Sequence, residues 1–210
     1  DRIEAVRKIR LESSDSGANK MADRSHQLRE MNRATQHTVV IPRTTTENRD
    51  YLPVGLLGSE CVVTSEIFAM FDVPVWCISI LGSKIHLAWI AAVCGRLRTG
   101  YRYSNTMGWN TFPVPVLTEK NKKDLSRCAE DILLAREAHF PATITDLYEP
   151  QKMPENIRKA HERSDEILER IYIGRRFKND TERLEKLFDL YTKMVEKNKP
   201  VIKNKRKESK

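Results

Sequence analysis

Residues 83–113 read SKIHLAWIAAVCGRLRTGYRYSNTMGWNTFP, and this stretch decides the fold. Its first half predicts a helix, because apolar residues recur at helical spacing behind Ser83, a residue type that caps helix N-termini. Gly95 is predicted to close that helix as the residue after its C-cap. A short basic loop and a strand at 101–103 are predicted to follow. The apolar face of the helix consists of Ile85, Ala88, Trp89, Ala92 and Val93.

The same stretch lies within a segment that has no carboxylates. No acidic residue occurs between Asp72 and Glu119, although 31% of the chain is charged. A surface without carboxylates suits an approach to phosphates, and Arg, Asn, Ser and aromatic side chains are the types that contact nucleic acid bases and backbone. The segment therefore predicts a DNA-binding surface.

Composition limits the remaining classes of protein. The chain has 210 residues, a net charge of +8, a sequence pI near 9.3 and a mean hydropathy of −0.56. These values fit a soluble globular protein of one large or two small domains, with a basic excess that favours polyanionic partners. No apolar run is long enough to span a bilayer, and the first residues show no signal-peptide pattern, so a cytoplasmic location is expected. The missing initiator Met suggests a piece of a longer protein.

Working outward from the central helix, residues 36–118 show strand patterns. Runs rich in β-branched and aromatic residues are bounded by turn residues, and their prolines favour edge strands. We expect an irregular, mostly antiparallel β-sheet with the helix inserted into it. The predicted strands cover residues 38–42, 51–55, 61–64, 73–78 and 101–103.

The flanking regions are predicted to be helical. Residues 1–35 form a polar helical connector interrupted at Gly17, and residues 119–200 form a bundle of three helices. These helices are expected at 119–138, from Pro154 to Gly174, and from a cap at residues 179–182 to Pro200, with a linker at 146–150. Residues 201–210 read as a disordered basic tail. The fold class is therefore α+β, with a recognition region at 36–118 followed by a helical domain.

No catalytic constellation can be assembled from the sequence. Nucleotide-binding glycine loops and nucleophile elbows are missing, and the five histidines are scattered. The acidic residues of the C-terminal helices alternate with Lys and Arg at the spacing of solvent-exposed ion pairs. Cys61, Cys77, Cys94 and Cys128 lie among apolar neighbours without ligand or disulfide spacing, which favours buried thiols in a reducing compartment. No catalytic residue and no metal site are predicted.

Three motifs carry a family resemblance, and the helical region extends it. They are Cys94-Gly95-Arg96-Leu97, Tyr101-Arg102-Tyr103-Ser104 and the run from Trp109 to Pro115. With these motifs the chain resembles, over residues 36–197, the target-recognition and C-terminal helical regions of MmeI-like (type IIL/IIG) restriction–modification enzymes. Their adenine-specific DNA methyltransferase relatives share the likeness.

The resemblance implies a parent polypeptide with a nuclease, a Rossmann-like methyltransferase and this recognition module. The methyltransferase uses S-adenosylmethionine to methylate adenine N6, and a nuclease, where present, requires Mg²⁺. The present chain lacks the glycine-rich cofactor loop and the Asn-Pro-Pro-Tyr turn of that domain. It is therefore expected to be the specificity end, without its own cofactor, small-molecule substrate or membrane contact. Its expected partners are double-stranded DNA and the upstream methyltransferase domain.

Candidate DNA-binding residues follow from side-chain type and position. Arg side chains can bind guanine O6 and N7, and Asn side chains can bind adenine N6 and N7, each pair discriminating by about 1–3 kcal/mol. Arg43, Arg49 and Lys84 are candidates for phosphate contacts. Alternatives are packing for Tyr101 and Tyr103 and, for Arg96, hydrogen bonds to helix-end carbonyls. The full predicted set is Arg43, Arg49, Lys84, Arg96, Arg98, Tyr101, Arg102, Tyr103, Ser104, Asn105, Trp109 and Asn110.

Two other functions compete with DNA recognition. The extensive charged faces of the C-terminal helices are also typical of a module that docks onto a protein partner without contacting bases. A self-contained methyltransferase is disfavoured by the missing cofactor loop.

Overall fold

Helices dominate both ends of the chain and frame a small β region. The structure, a computed structural model, describes residues 1–197. Its helices are α1 (Arg2–Leu11), α2 (Ser16–Lys20), α3 (Trp76–Leu81), α4 (Lys84–Val93), α5 (Glu119–Glu137), α6 (Ile144–Leu147), α7 (Glu155–Ile173) and α8 (Asp180–Lys197). Its strands are β1 (His37–Pro42), β2 (Thr44–Thr45), β3 (Gly55–Gly58), β4 (Ile67–Phe71), β5 (Gly95–Leu97) and β6 (Gly100–Arg102). A 3-10 turn (Ala22–Arg24) and a π-helical turn (Asn105–Trp109) complete the elements.

The strands form two antiparallel sheets instead of the single sheet expected. One has the order β3-β1-β4 and the other the order β2-β6-β5. The central strand β1 matches the predicted strand at 38–42, and its Val39 and Ile41 side chains are buried. The α+β class with antiparallel strands and C-terminal helices is confirmed.

Three predicted strands are wrong, each because packing or a turn overrides local propensity. Residues 73–78 lead into helix α3, where buried residues on all sides leave no strand face. Residues 51–54 are buried but turn at Pro53, where the Val54 amide donates to the Leu52 carbonyl (2.9 Å), and pairing starts only at β3. Residues 61–64 follow a turn closed by the Cys61 amide and the Gly58 carbonyl (3.2 Å), and the strand forms later, as β4.

Three local signals also had a different outcome. Gly95 does not end α4 in a left-handed conformation, because the extended Cys94 leads directly into β5. Gly17 lies inside α2, and the helical structure is interrupted before it, at residues 12–15 between α1 and α2. The expected linker at 146–150 begins within α6, which Thr143 and Asp146 cap reciprocally. By contrast, α7 ends at Gly174 as predicted, and this glycine has a left-handed conformation (φ 78°). The predicted ending at Pro200 and the basic tail lie outside the described residues.

Helix α4 packs against the π-helical turn, α7 and α8. The Ser83 side chain accepts a hydrogen bond from the His86 amide (3.1 Å), which confirms the predicted cap. The buried Asp165 carboxylate of α7 accepts a second bond from the Lys84 amide (3.0 Å). Trp89 is buried, as predicted, and packs against Phe188 and Tyr191 of α8. Because α3 also packs on α5 and α7, the C-terminal helices complete the core of the middle region.

A polar network joins residues 49–54 to the C-terminal helices. The Tyr148 hydroxyl accepts from Arg136 Nε (2.7 Å) and shares a hydrogen bond with His161 Nε2 (2.6 Å). Arg136 Nη1 also donates to the Val54 carbonyl (2.6 Å), and the Tyr51 ring stacks on His161 with ring centroids 4.2 Å apart. The two regions therefore share one interior.

Gly100 allows the close approach of β6 to β2. A Cβ atom there would lie 2.5 Å from the Thr45 carbonyl oxygen, whereas a Cβ at Gly95 in the same sheet would meet nothing within 4 Å. We expect Gly100→Ala to lower the free energy of unfolding by about 1–3 kcal/mol, in line with overpacking elsewhere. Gly95→Ala is the matched control and should be close to neutral. Urea denaturation checks both, and equal effects of the two substitutions would contradict the register.

Asp165 gives the fold a defined pH dependence. Burial raises the pKa of its carboxyl group to about 7. The stability gained from the protonated form is therefore fully present below about pH 4 and lost as the pH rises through 7. Asp165→Asn keeps an acceptor for the Lys84 amide and does not ionise. We expect the free energy of unfolding of the variant minus that of wild type to be about 2 kcal/mol higher at pH 8 than at pH 5.

Urea denaturation of both proteins at the two pH values tests this expectation. Burial lowers the pKa of His86 and of His161, and both proteins retain these residues, so we expect their contributions to cancel in the comparison. The exposed Asp23→Asn serves as the control. A difference between Asp165→Asn and wild type that stays constant from pH 5 to pH 8 would refute the assignment.

Candidate nucleic-acid interface

Strands β5 and β6 and the two-residue turn between them form a hairpin, which we call the recognition hairpin because four of the predicted DNA-binding residues lie in it. Leu97 pairs with Gly100, so Arg98 and Thr99 form the turn. Arg98 has a φ of 56°, in the left-handed region that residues other than Gly, Asn and Asp seldom occupy. All three residues of β5 are exposed. The hairpin thus presents its edge strand and its tip to solvent.

The register of this sheet places the basic residues on two different faces. Arg96 pairs with Tyr101, and Tyr101 pairs with Thr45 of β2, so these three side chains share one face. Arg102 pairs with Gly95 and with Thr44 and therefore lies on the opposite face. Leu97, two residues beyond Gly95, belongs to that same face because side chains alternate along a strand. We call the face with Thr44, Leu97 and Arg102 the outer face.

Arg96 is engaged on the inner face. Its Nη1 atom pairs with the Glu47 carboxylate (2.8 Å), and its guanidinium lies over the Tyr101 ring at 5.1 Å. A longer bond joins it to the Thr99 carbonyl (3.4 Å), a turn residue and not a helix end. The alternative of helix-end carbonyls does not describe these contacts, and the DNA contact of Arg96 stays a prediction.

Arg98 and Arg102 are the free cations of the hairpin. Both are exposed, and neither has a hydrogen-bond or ion-pair partner among residues 1–197. The outer face also exposes Thr44 and Leu97, which sequence reasoning missed. No local pattern shows which strand lies beside β6, so the signal for Thr44 exists only in three dimensions.

The π-helical turn after β6 supplies the amide side chains. The Ser104 hydroxyl accepts from the Met107 amide (3.3 Å) and caps the turn, so its position is structural. Asn105 is exposed, but its Oδ1 atom accepts from the Thr106 amide (2.9 Å). Asn110 lies one turn later, and its backbone amide donates a hydrogen bond to the Asn105 backbone carbonyl (2.9 Å). Its side chain is exposed and has no hydrogen bond within residues 1–197, so both of its polar atoms can reach a ligand.

Two of the predicted aromatic residues contact the buried His86 of α4. Tyr103 is 2% exposed, and its hydroxyl shares a hydrogen bond with His86 Nε2 (3.1 Å). Complete burial lowers the pKa of His86 to about 3, so its imidazole is neutral. Trp109 is half-buried and meets His86 edge-on, with ring centroids 6.1 Å apart. Tyr103 therefore packs in the core, as its alternative interpretation held, and its ring is not at the surface.

The predicted phosphate contacts also have internal partners. Arg43 Nη1 donates to the Ser65 carbonyl (2.8 Å), and its guanidinium lies over Phe68 at 5.3 Å. Arg49 Nε donates to the Tyr148 carbonyl (3.2 Å), within the network that joins the two regions. Lys84 Nζ lies over the Tyr51 ring at 5.4 Å. The structure thus does not bring these three cations to the outer face.

The outer face offers binding chemistry and lacks the groups of a reaction centre. It presents the Arg102 guanidinium and the Thr44 hydroxyl with no carboxylate on the same face of the sheet, because Glu47 pairs on the inner side. Within residues 1–197, no three His, Cys, Asp or Glu side chains lie together closely enough to hold a metal ion. None of the helices described there has the length and apolar composition needed to cross a membrane.

The polypeptide is similar to known proteins over most of its length. Among curated proteins, DNA methyltransferase A of Bacillus subtilis (strain 168) is 38% identical over 197 residues, which cover 94% of this chain and 22% of that protein. Among solved structures, the Type IIL restriction–modification enzyme MmeI in complex with DNA aligns with a TM-score of 0.84 and 28% identity. That alignment covers 92% of this chain and 26% of the MmeI chain. The chain thus spans about a fifth to a quarter of these relatives.

Two family models together account for nearly the whole chain. The model of the MmeI target recognition domain matches residues 1–116, and that of the MmeI C-terminal domain matches residues 116–198. The predicted boundary at 118 lies close to this division, and the separate connector at 1–35 stays a prediction. The outer face, the free arginines and the asparagines of the π-helical turn all fall in the first match. The chain belongs to the MmeI family and comprises its target recognition domain and its C-terminal domain.

Proposed function

We propose that this chain is the sequence-specific DNA recognition module of a bacterial adenine-N6 methyltransferase or fused restriction–modification enzyme. One observation carries the proposal. Within a segment free of acidic residues, residues 98–110 expose Arg98, Arg102 and Asn110, whose side chains have no hydrogen-bond or ion-pair partner within residues 1–197. Unpaired cations and amides on a rigid scaffold are what duplex recognition requires.

The shape of the hairpin suits the major groove. That groove is about 12 Å wide and admits a two-stranded β-ribbon. With the outer face toward the bases, Arg102 reaches a guanine edge, and Arg98 at the tip reaches a base or an adjacent phosphate. Asn110, whose amide oxygen and nitrogen are both free, is the better candidate for adenine, because Asn105 already uses its oxygen internally.

The remaining predicted residues have supporting roles in this proposal. Tyr103, Trp109 and Ser104 shape the π-helical turn, whereas Arg49 and Lys84 contribute to the joint between the recognition region and the C-terminal helices. Arg43 is held on the sheet by Ser65 and Phe68. Tyr101 provides a platform for Arg96. Base contacts are thus concentrated in fewer side chains than the sequence suggests.

The chemistry of the parent enzyme lies in the polypeptide that accompanies this module. There, an upstream methyltransferase domain binds S-adenosylmethionine and acts on the adenine that the module places before it. A nuclease domain, where present, uses Mg²⁺. The names of both relatives, a DNA methyltransferase and a restriction–modification enzyme bound to DNA, support this assignment.

The alternative of a protein-docking scaffold is not favoured. The apolar faces of α7 and α8 already pack internally, with Leu168 and Leu187 buried in one cluster with Trp89 of α4. The helices thus support the recognition region, which leaves their charged faces as ordinary solvated surface.

Salt-dependent duplex binding is the first test of the proposed function. The 210-residue chain should bind a labelled pool of random duplexes, enrich one sequence, and lose affinity steeply as salt rises, because phosphate contacts release counterions. Fluorescence anisotropy at several salt concentrations measures the slope. Binding that ignores salt, or a pool that enriches no sequence, would sink the proposal.

Arg102→Ala separates base reading from charge. We expect it to weaken binding to the enriched duplex by about tenfold and to relax the preference at one guanine, because a bidentate contact is lost. Arg127→Ala, an exposed arginine on α5, removes the same charge away from the hairpin and should leave the preference intact. Sequencing of bound DNA distinguishes the two variants. An Arg102→Ala protein that retains the wild-type preference would show that this residue does not read a base.

Arg98→Gly isolates the tip of the hairpin. Glycine adopts the positive φ of position 98 without steric cost, so the turn should persist while the guanidinium is removed. We expect the free energy of unfolding to stay within about 1 kcal/mol of wild type, whereas affinity for the enriched duplex falls. Urea denaturation and anisotropy on the same preparation check both parts. Unchanged affinity would exclude Arg98 from the interface.

A further inference from the structure

The inner face of the recognition hairpin holds a carboxylate where charge alone would disfavour one. Glu47 follows β2 and pairs with Arg96 of β5 at 2.8 Å. A negative charge beside a DNA-reading hairpin repels phosphates, and it also neutralises one of the hairpin's few cations. The location of Glu47 is therefore not explained by an increase in affinity for DNA.

Arg96 uses its guanidinium to join three parts of the site. It pairs with Glu47, lies over the Tyr101 ring of β6 at 5.1 Å, and bonds to the Thr99 carbonyl in the turn at 3.4 Å. Each contact is modest, since exposed ion pairs contribute little to stability. Together they fix the tip next to Arg98 against strand β6 and against the segment that carries Glu47.

That segment is itself fixed to the C-terminal helices. Two residues after Glu47, Arg49 donates to the Tyr148 carbonyl (3.2 Å), and Asp50 pairs with Arg158 of α7 (2.6 Å). The contacts thus run from α7 through residues 47–50 to the hairpin tip. These contacts, together with the β2–β6 pairing, fix the orientation of the outer face relative to the helical region.

We propose that Glu47 and Arg96 are a positioning pair that holds the hairpin in register with the bases and that neither side chain contacts DNA. The inference rests on the proposed function and reassigns Arg96 from base contact to support. It has an unusual consequence: removing the acidic residue makes the chain more positive, yet it should make recognition worse.

The test compares two acidic residues that differ in this contact. Glu47→Ala removes the pair, whereas Glu66→Ala removes an equal charge from an exposed position that has no ion pair within residues 1–197. Anisotropy gives the specificity ratio, which is the dissociation constant for a shuffled duplex divided by that for the enriched duplex. We expect Glu47→Ala to reduce that ratio by about fivefold, and Glu66→Ala to leave the ratio unchanged while binding both duplexes equally or more tightly.

Arg96 variants separate positioning from direct contact. Arg96→Ala should reduce the ratio as Glu47→Ala does, the double alanine variant should be no worse, and the swap Glu47→Arg with Arg96→Glu should restore it. A salt slope that Arg96→Ala flattens by about one, with no matching effect of Glu47→Ala, would mean a phosphate contact and overturn the inference. So would a Glu47→Ala protein that binds its enriched duplex more tightly with an undiminished ratio.

Two further measurements keep the outcome unambiguous. Urea denaturation should show that the variants fold, and Glu47→Gln, which keeps the shape of the side chain, should give an intermediate ratio. A wild-type chain that selects no sequence removes the proposed function and this inference with it. A wild-type chain that selects a sequence with a ratio insensitive to Glu47 overturns only the positioning pair.

Discussion

The enclosure of helix α4 is the constraint on which the rest of the structure depends. Its N-terminus is fixed twice, by the Ser83 cap and by the buried Asp165 carboxylate of α7. Its sides pack against the π-helical turn, α7 and α8, and Ile90 belongs to the same core cluster as Val39 and Ile41 of β1. Because the chain passes directly from α4 into β5, the position of this helix constrains the position of the recognition hairpin. A recognition domain and a helical domain that look separable in the sequence therefore act as one rigid support.

This support explains how so few exposed groups can carry recognition. The core beneath the site is built from aromatic and imidazole side chains, with neutral His86 bonded to Tyr103 under the π-helical turn. Gly108 allows that turn to rest on the Tyr103 ring, since a Cβ there would approach the ring to 3.1 Å. Most cations of the region are used internally. Arg98, Arg102 and Asn110 remain available to a ligand, and the packed residues beneath them fix their backbone.

Local signals in the sequence predict the elements that carry the site, and tertiary contacts decide the rest. Helix α4 follows from a cap and helical periodicity, and strands β1 and β6 follow from β-branched and aromatic residues. The acid-free segment predicts where DNA binds. The strand expected at 73–78 became α3, because burial on all sides removes the alternation that distinguishes a strand. The faces of Arg96 and Arg102 could not be predicted, since a one-residue shift in register exchanges them. The pairing of Arg96 with Glu47 depends on that register as well.

The central claim is that the outer face of the hairpin meets DNA while the inner face does not. Modification of arginines by phenylglyoxal, quantified residue by residue by mass spectrometry with and without the enriched duplex, tests it most directly. The account predicts that DNA protects Arg98 and Arg102, and that it leaves the reactivity of Arg127 and Arg163 on the helices unchanged. Protection confined to the helical arginines, with Arg98 and Arg102 still fully reactive, would contradict it.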